Sequence, residues 1–161
     1  MRPGSASRGD SRQGGFTLVA VLALVFLFAL GLSVAGPRWH DLHRRAQERE
    51  LMRVGVIYAQ ALADFRDNSP GSLKEYPRTL EELTLDPRFL GVRRHLRQLY
   101  PDPLDPARPW GVVRDKDGGI VGVFSQSEDA PIALGPVDLG SVALLPARRY
   151  SDWKFTAPNQ P

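Results

Sequence analysis

His40 and His43 stand three residues apart, a spacing that sets two imidazoles on one helical face as a metal site requires. Asp41 is their one nearby carboxylate, the chain has no cysteine, and no H-E-x-x-H pattern surrounds them. A solvated turn accounts for the pair, and no metal ligands are assigned. Asp115-x-Asp117-Gly118 opens like a calcium loop but is too short and has no closing glutamate. A hairpin turn explains the same residues. Arg45, Arg49 and Arg53 form an i, i+4, i+8 ridge suited to anionic headgroups or an acidic neighbour, with a wet helix face as the plainer account. Trp110, Trp153 and Phe155 read as core residues rather than a ligand box. There is no nucleophile elbow, phosphate loop, catalytic carboxylate pair or redox motif, and the three histidines have no evident serine or cysteine partner. No catalytic or cofactor-binding residues are identified, and the chain is not expected to be an enzyme.

The elements that would carry these residues are legible from hydrophobic pattern. Met1 to Gly15 is a polar leader with Arg2, Arg8 and Arg12. The 21 residues from Phe16 to Gly36 then carry no charge, enough to span a hydrocarbon core of roughly 30 Å as one helix. Gly36-Pro37 predicts a kink or local melting, because proline removes a helical hydrogen bond and clashes with the preceding turn. Trp39 suits the headgroup level of a membrane. Leu51, Val54, Tyr58, Ala61, Leu62 and Phe65 next form one apolar stripe of an amphipathic helix. Glu48, Arg49, Glu50 and Asp64 are assigned to its other faces, and Asn68-Ser69-Pro70-Gly71 stops it.

Beyond that stop the chain reads as short pieces. Thr79-Leu80-Glu81-Glu82 has the form of a capping box opening a short helix. Arg93 to Leu99 reads as another helical turn or two. Pro101, Pro103, Pro106 and Pro109 enforce a stiff, irregular connection. Trp110–Arg114 and Ile120–Ser125 flank Asp115-Lys116-Asp117-Gly118-Gly119, a strong hairpin signal. Trp153-Lys154-Phe155-Thr156 alternates like a final strand. The order predicts an α+β fold in which the sheet bearing Trp110, Val112, Val121, Val123 and Phe155 covers the helix stripe.

The sequence pI of 9.6 invites a nucleic-acid reading. Removing the leader takes away three arginines and Asp10, so the formal charge falls from +3 to +1, which offers no strong field for phosphate. With 161 residues the chain holds one globular domain once leader and apolar helix are set aside. Without cysteine, disulfides are excluded.

Gly15-Phe16-Thr17-Leu18-Val19, directly before the uncharged run, resembles the processing signal of type IV prepilins and type II secretion pseudopilins. Element order and the segments Tyr76–Leu80, Leu99–Pro103 and Gly119–Val123 also resemble the G-type pseudopilins, and Pro37 is similar to a proline that many pilins carry. The resemblance implies a pilin-like fold: a long N-terminal helix packed on a small antiparallel sheet. It divides the chain into leader 1–15, transmembrane helix 16–36, periplasmic amphipathic helix 37–68 and globular domain 69–161. It implies cleavage between Gly15 and Phe16 by a prepilin peptidase and N-methylation of Phe16. An ordinary secretory signal is cut beyond its apolar segment, whereas here the apolar helix stays with the protein. The implied protein is a single-pass inner-membrane subunit with its N-terminus cytoplasmic and its domain periplasmic. It assembles into a short filament supporting protein secretion in a type II system or related pilus machine. Its partners are the peptidase, other pseudopilins and the inner-membrane platform, with no nucleic acid and no required cofactor.

Two features depart from that pattern. The fifth mature residue, usually glutamate in the family, is Ala20, so the carboxylate that meets a neighbour's N-terminal ammonium is missing. The region of the family's calcium loop, Ser125 to Asp138, holds Glu128 and Asp129 but no larger acidic cluster. Two other readings stay open. Ser33-Val34-Ala35 before Gly36 meets the small-x-small rule for ordinary signal peptidase, which would release a soluble periplasmic binding protein. A DNA-binding minor pilin is the other, for which the near-neutral mature charge gives no support.

Overall fold

The computed structural model describes residues 13–158, with side chains for residues 16–31 and 42–158. The leader up to Arg12 and the side chains of Pro37, Trp39 and His40 lie outside the described residues. The fold is α+β, and the described residues form one long helix, two short 3-10 turns and two small antiparallel sheets. The chain divides into two compact units, Met1–His43 and Arg44–Pro161. Helix α1 spans Gln13–Asp67. It runs unbroken through Gly36-Pro37, without the local melting that was one of the two expectations there; a proline deletes a single bond of the ladder.

Within the Arg44–Pro161 unit the apolar stripe of α1 is the spine of the core. Leu51, Val54, Tyr58, Ala61, Leu62 and Phe65 are all buried. Strands β1 (Gly111–Arg114), β2 (Ile120–Phe124) and β5 (Phe155–Thr156) form an antiparallel sheet in the order β1-β2-β5. The hairpin between β1 and β2 is closed by Asp115, whose N–H donates to the Gly119 carbonyl at 2.8 Å. Its Oδ1 accepts the N–H groups of Asp117 at 3.0 Å and Gly119 at 2.8 Å, while Gly118 takes the positive φ of 85° that the turn needs. A second pair, β3 (Val137–Asp138) with β4 (Ala143–Leu144), had no clear signal in the Gly- and Pro-punctuated stretch that contains it.

The sheet meets the helix at Gly55. A Cβ there would lie 2.3 Å from the Phe155 ring, so only glycine lets this fully buried aromatic rest on the helix backbone. Val123 pairs with both Val112 and Phe155, which places the three on one face of the sheet. Val121 was expected on that face too. A bulge between Val113 and Arg114 pairs Arg114 with Ile120 instead, leaving Val121 the extra residue. Ile120, 1% exposed, takes the core place and Val121 is only half-buried.

Two expected helical pieces are corrected. The capping box opens only one 3-10 turn, Glu81–Leu83, preceded by Leu80 with no side-chain cap. Glu82 does reach back, accepting the Arg78 N–H at 3.1 Å. That donor is the residue before Thr79, and the Thr79 hydroxyl makes no bond to the turn, so the capping box itself is not formed. Arg93–Leu99 is irregular rather than helical. The N–H groups of His95 and Leu96 both donate to the Leu83 carbonyl at 2.8 Å, a non-local use that takes them from any helical ladder.

Candidate functional site

Gly15 and Phe16 lie in the first turn of α1, and the Phe16 ring is 79% exposed. From Phe16 to Gly31 every described side chain is exposed, Ala20 included, so no face of this stretch is covered by the chain itself. A helix apolar on all faces finds its cover in lipid or in other helices. Among the described residues no helix is long and apolar enough to cross a membrane. The uncharged run of the sequence extends to Gly36, and its side chains from residue 32 onward lie outside those described.

The residues with metal chemistry are not brought together. His43 is exposed, Asp115 is engaged in its turn, and Glu128 forms an ion pair with Arg149. Asp129 offers its carbonyl to the Tyr150 N–H at 3.0 Å. Among the described residues no group of three or more histidines and carboxylates stands close enough to hold a metal ion. The arginine ridge is divided: Arg53 pairs with Glu50 at 2.5 Å, while Arg49 donates to the Arg45 carbonyl. Trp110 and Trp153 are buried, and their indole N–H groups donate to the carbonyls of Tyr100 and Leu145.

Among the described residues, two buried carboxylates with several partners each stand apart from anything the sequence pattern indicated. Glu48, assigned to a solvated face, is 6% exposed. Its carboxylate accepts the N–H groups of Ile132 at 2.6 Å and Ala133 at 3.1 Å and the Tyr150 hydroxyl at 2.6 Å. These donors replace the water it loses, the condition for burying a carboxylate at tolerable cost. Burial raises the Tyr150 hydroxyl pKa, and its bond to Glu48 raises it further, because ionisation would set two anions side by side. Arg44 donates to the Ala130 carbonyl at 3.2 Å, so helix residues 44 and 48 together strap the 130–133 segment.

The second centre is Asp86, 1% exposed. Its carboxylate receives Arg88 through Nε at 2.9 Å and Nη2 at 2.7 Å, and lies 3.1 Å from His95 Nε2. Burial works to raise the carboxyl pKa, but the Arg88 bonds, helped by His95, outweigh it and hold it at about 2. Arg88 extends the centre to the end of α1, donating to the Phe65 carbonyl and the Ser69 hydroxyl, each at 2.7 Å. Its guanidinium lies 3.6 Å from the centroid of the Phe65 ring.

Compared with known proteins, the chain matches no family model, no curated protein and no solved structure.

Proposed function

We propose that the chain is a prepilin-like structural subunit of a type II secretion system or a related type IV pilus machine, with a pilin-like fold. The observation that carries this reading is the position of Gly15 and Phe16 at the start of α1, directly before side chains exposed on every described face. A peptidase cut there leaves the apolar helix on the mature protein. That helix, 16–36, holds the subunit in the inner membrane and then packs against its counterparts in a short periplasmic filament. The exchange of lipid for helix contacts is close to balanced, because both partners are apolar. The Arg44–Pro161 unit supplies the periplasmic surface met by neighbours or secreted substrate. The role is mechanical rather than catalytic.

Coexpression with a prepilin peptidase, followed by intact mass measurement, tests the reading. The expected product lacks residues 1–15 and carries a methyl group on Phe16. Gly15→Asp is expected to abolish processing, since a small residue is what lets the backbone enter the peptidase site. A product starting at Gly36 would instead identify an exported soluble binding protein and overturn the subunit reading.

A further inference from the structure

The loop from Asp86 to Arg93 is tightly held at its base and bare at its tip. At the base, the Asp86 N–H donates to the Arg93 carbonyl at 3.0 Å, and the Asp86 carboxylate is shared by Arg88 and His95. Arg93 adds a bond to the Asn68 side chain and lies over the Phe89 ring. The tip spends that order on nothing inside the molecule: Leu90 is 112% exposed and Val92 75%. Beside it in the sequence Arg94 and Arg97 are exposed, and among the described residues neither pairs with a carboxylate. A preorganised apolar knob with free cations is matched by an apolar socket edged with a free carboxylate, and its rigidity lowers the entropy cost of docking.

This chain carries such a socket. Leu80, Leu99, Tyr100, Pro106 and Trp110 line an open groove of about 490 Å³, with Glu81 on its wall. Glu81 is exposed and among the described residues pairs with no cation, whereas Arg108, the groove's own cation, is taken up by Asp105 at 3.1 Å. We propose that the Leu90 knob of one copy docks in the Tyr100–Trp110 groove of a second copy, with Arg94 and Arg97 facing that copy's Glu81. Knob and socket are different surfaces of one chain, so the contact is head-to-tail and leaves a free knob and a free socket at the two ends. The proposal deepens the subunit reading, which supplies many copies anchored side by side and thereby a high effective concentration for a small contact.

The chain has no cysteine, so introduced thiols report the contact without background. Full-length Leu90→Cys and Pro106→Cys chains are coexpressed and oxidised in isolated membranes, with Leu99→Cys as the alternative socket probe should Pro106→Cys fold poorly. A disulfide-linked dimer containing one copy of each variant is expected, and none when either variant is expressed alone. Glu81→Arg in the socket partner is expected to reduce the mixed dimer about tenfold, and Arg94→Glu with Arg97→Glu in the knob partner to restore it. Absence of the mixed dimer with both socket probes, or equal crosslinking of each variant with itself, overturns the head-to-tail contact. The same gel reports leader removal. Processed chains without the mixed dimer defeat the docking proposal and spare the subunit reading, while unprocessed chains with it do the reverse.

Discussion

Phe65→Ala is expected to lower the stability of the Arg44–Pro161 unit by about 3–5 kcal/mol, much of what a small domain has. The ring is 2% exposed and closes the apolar stripe of α1. It also touches two groups that cannot follow it into the space it leaves. His95 meets it edge-on with centroids 5.3 Å apart, and Arg88 covers its face. Both are tied to the Asp86 carboxylate, so the cavity cannot collapse without loosening a buried ion pair. Thermal unfolding of the isolated unit, wild type against variant, measures the difference. An unchanged melting temperature would show that Phe65 is not packed as described.

Asp86→Ala is expected to cost a similar 3–5 kcal/mol, because it leaves the half-buried Arg88 guanidinium without its carboxylate. The same centre gives the unit an acid limit. The folded Asp86 pKa, about 2, lies below its ordinary value of 3.8. Its stabilisation is therefore fully present above about pH 4 and is lost as pH falls toward 2. The difference corresponds to roughly 2 kcal/mol. Denaturant unfolding at a series of pH values between 5 and 2 should show that decline in the wild type. In Asp86→Asn this part of the slope is expected to vanish; a slope that persists unchanged would assign the acid sensitivity to other carboxylates.

The α+β class and the buried face of the long helix were legible because period-3.6 patterning depends only on which residues must leave water. The hairpin was legible because Asp115 to Gly119 encode their own turn. Glu48 could have been found: it lies three residues before Leu51 and so continues the buried stripe backward. Its charge assigned it to solvent, and the compensating donors come from residues 132, 133 and 150, which no local pattern connects to it. The exchange of Ile120 for Val121 was hidden for a related reason. A bulge is decided by the partner strand, and one extra residue reverses every side chain beyond it. Asp86, Arg88 and His95 lie in a stretch without periodicity, so their convergence at the end of α1 had no signal in spacing. Gly15 and Phe16 were singled out through resemblance, from residue types that a peptidase reads in order rather than from any folded arrangement.

Arg88 binds the Phe65 carbonyl and the Ser69 hydroxyl, and both acceptors exist in place only once the last turn of α1 has formed. That turn in turn leaves its Phe65 carbonyl to a side chain 23 residues further on rather than to solvent. Each part supplies partners the other uses. The end of the helix and the 86–95 loop therefore open and close as one cooperative segment, and native-state hydrogen exchange should give the amides of Asn68, Asp86 and His95 a common opening free energy.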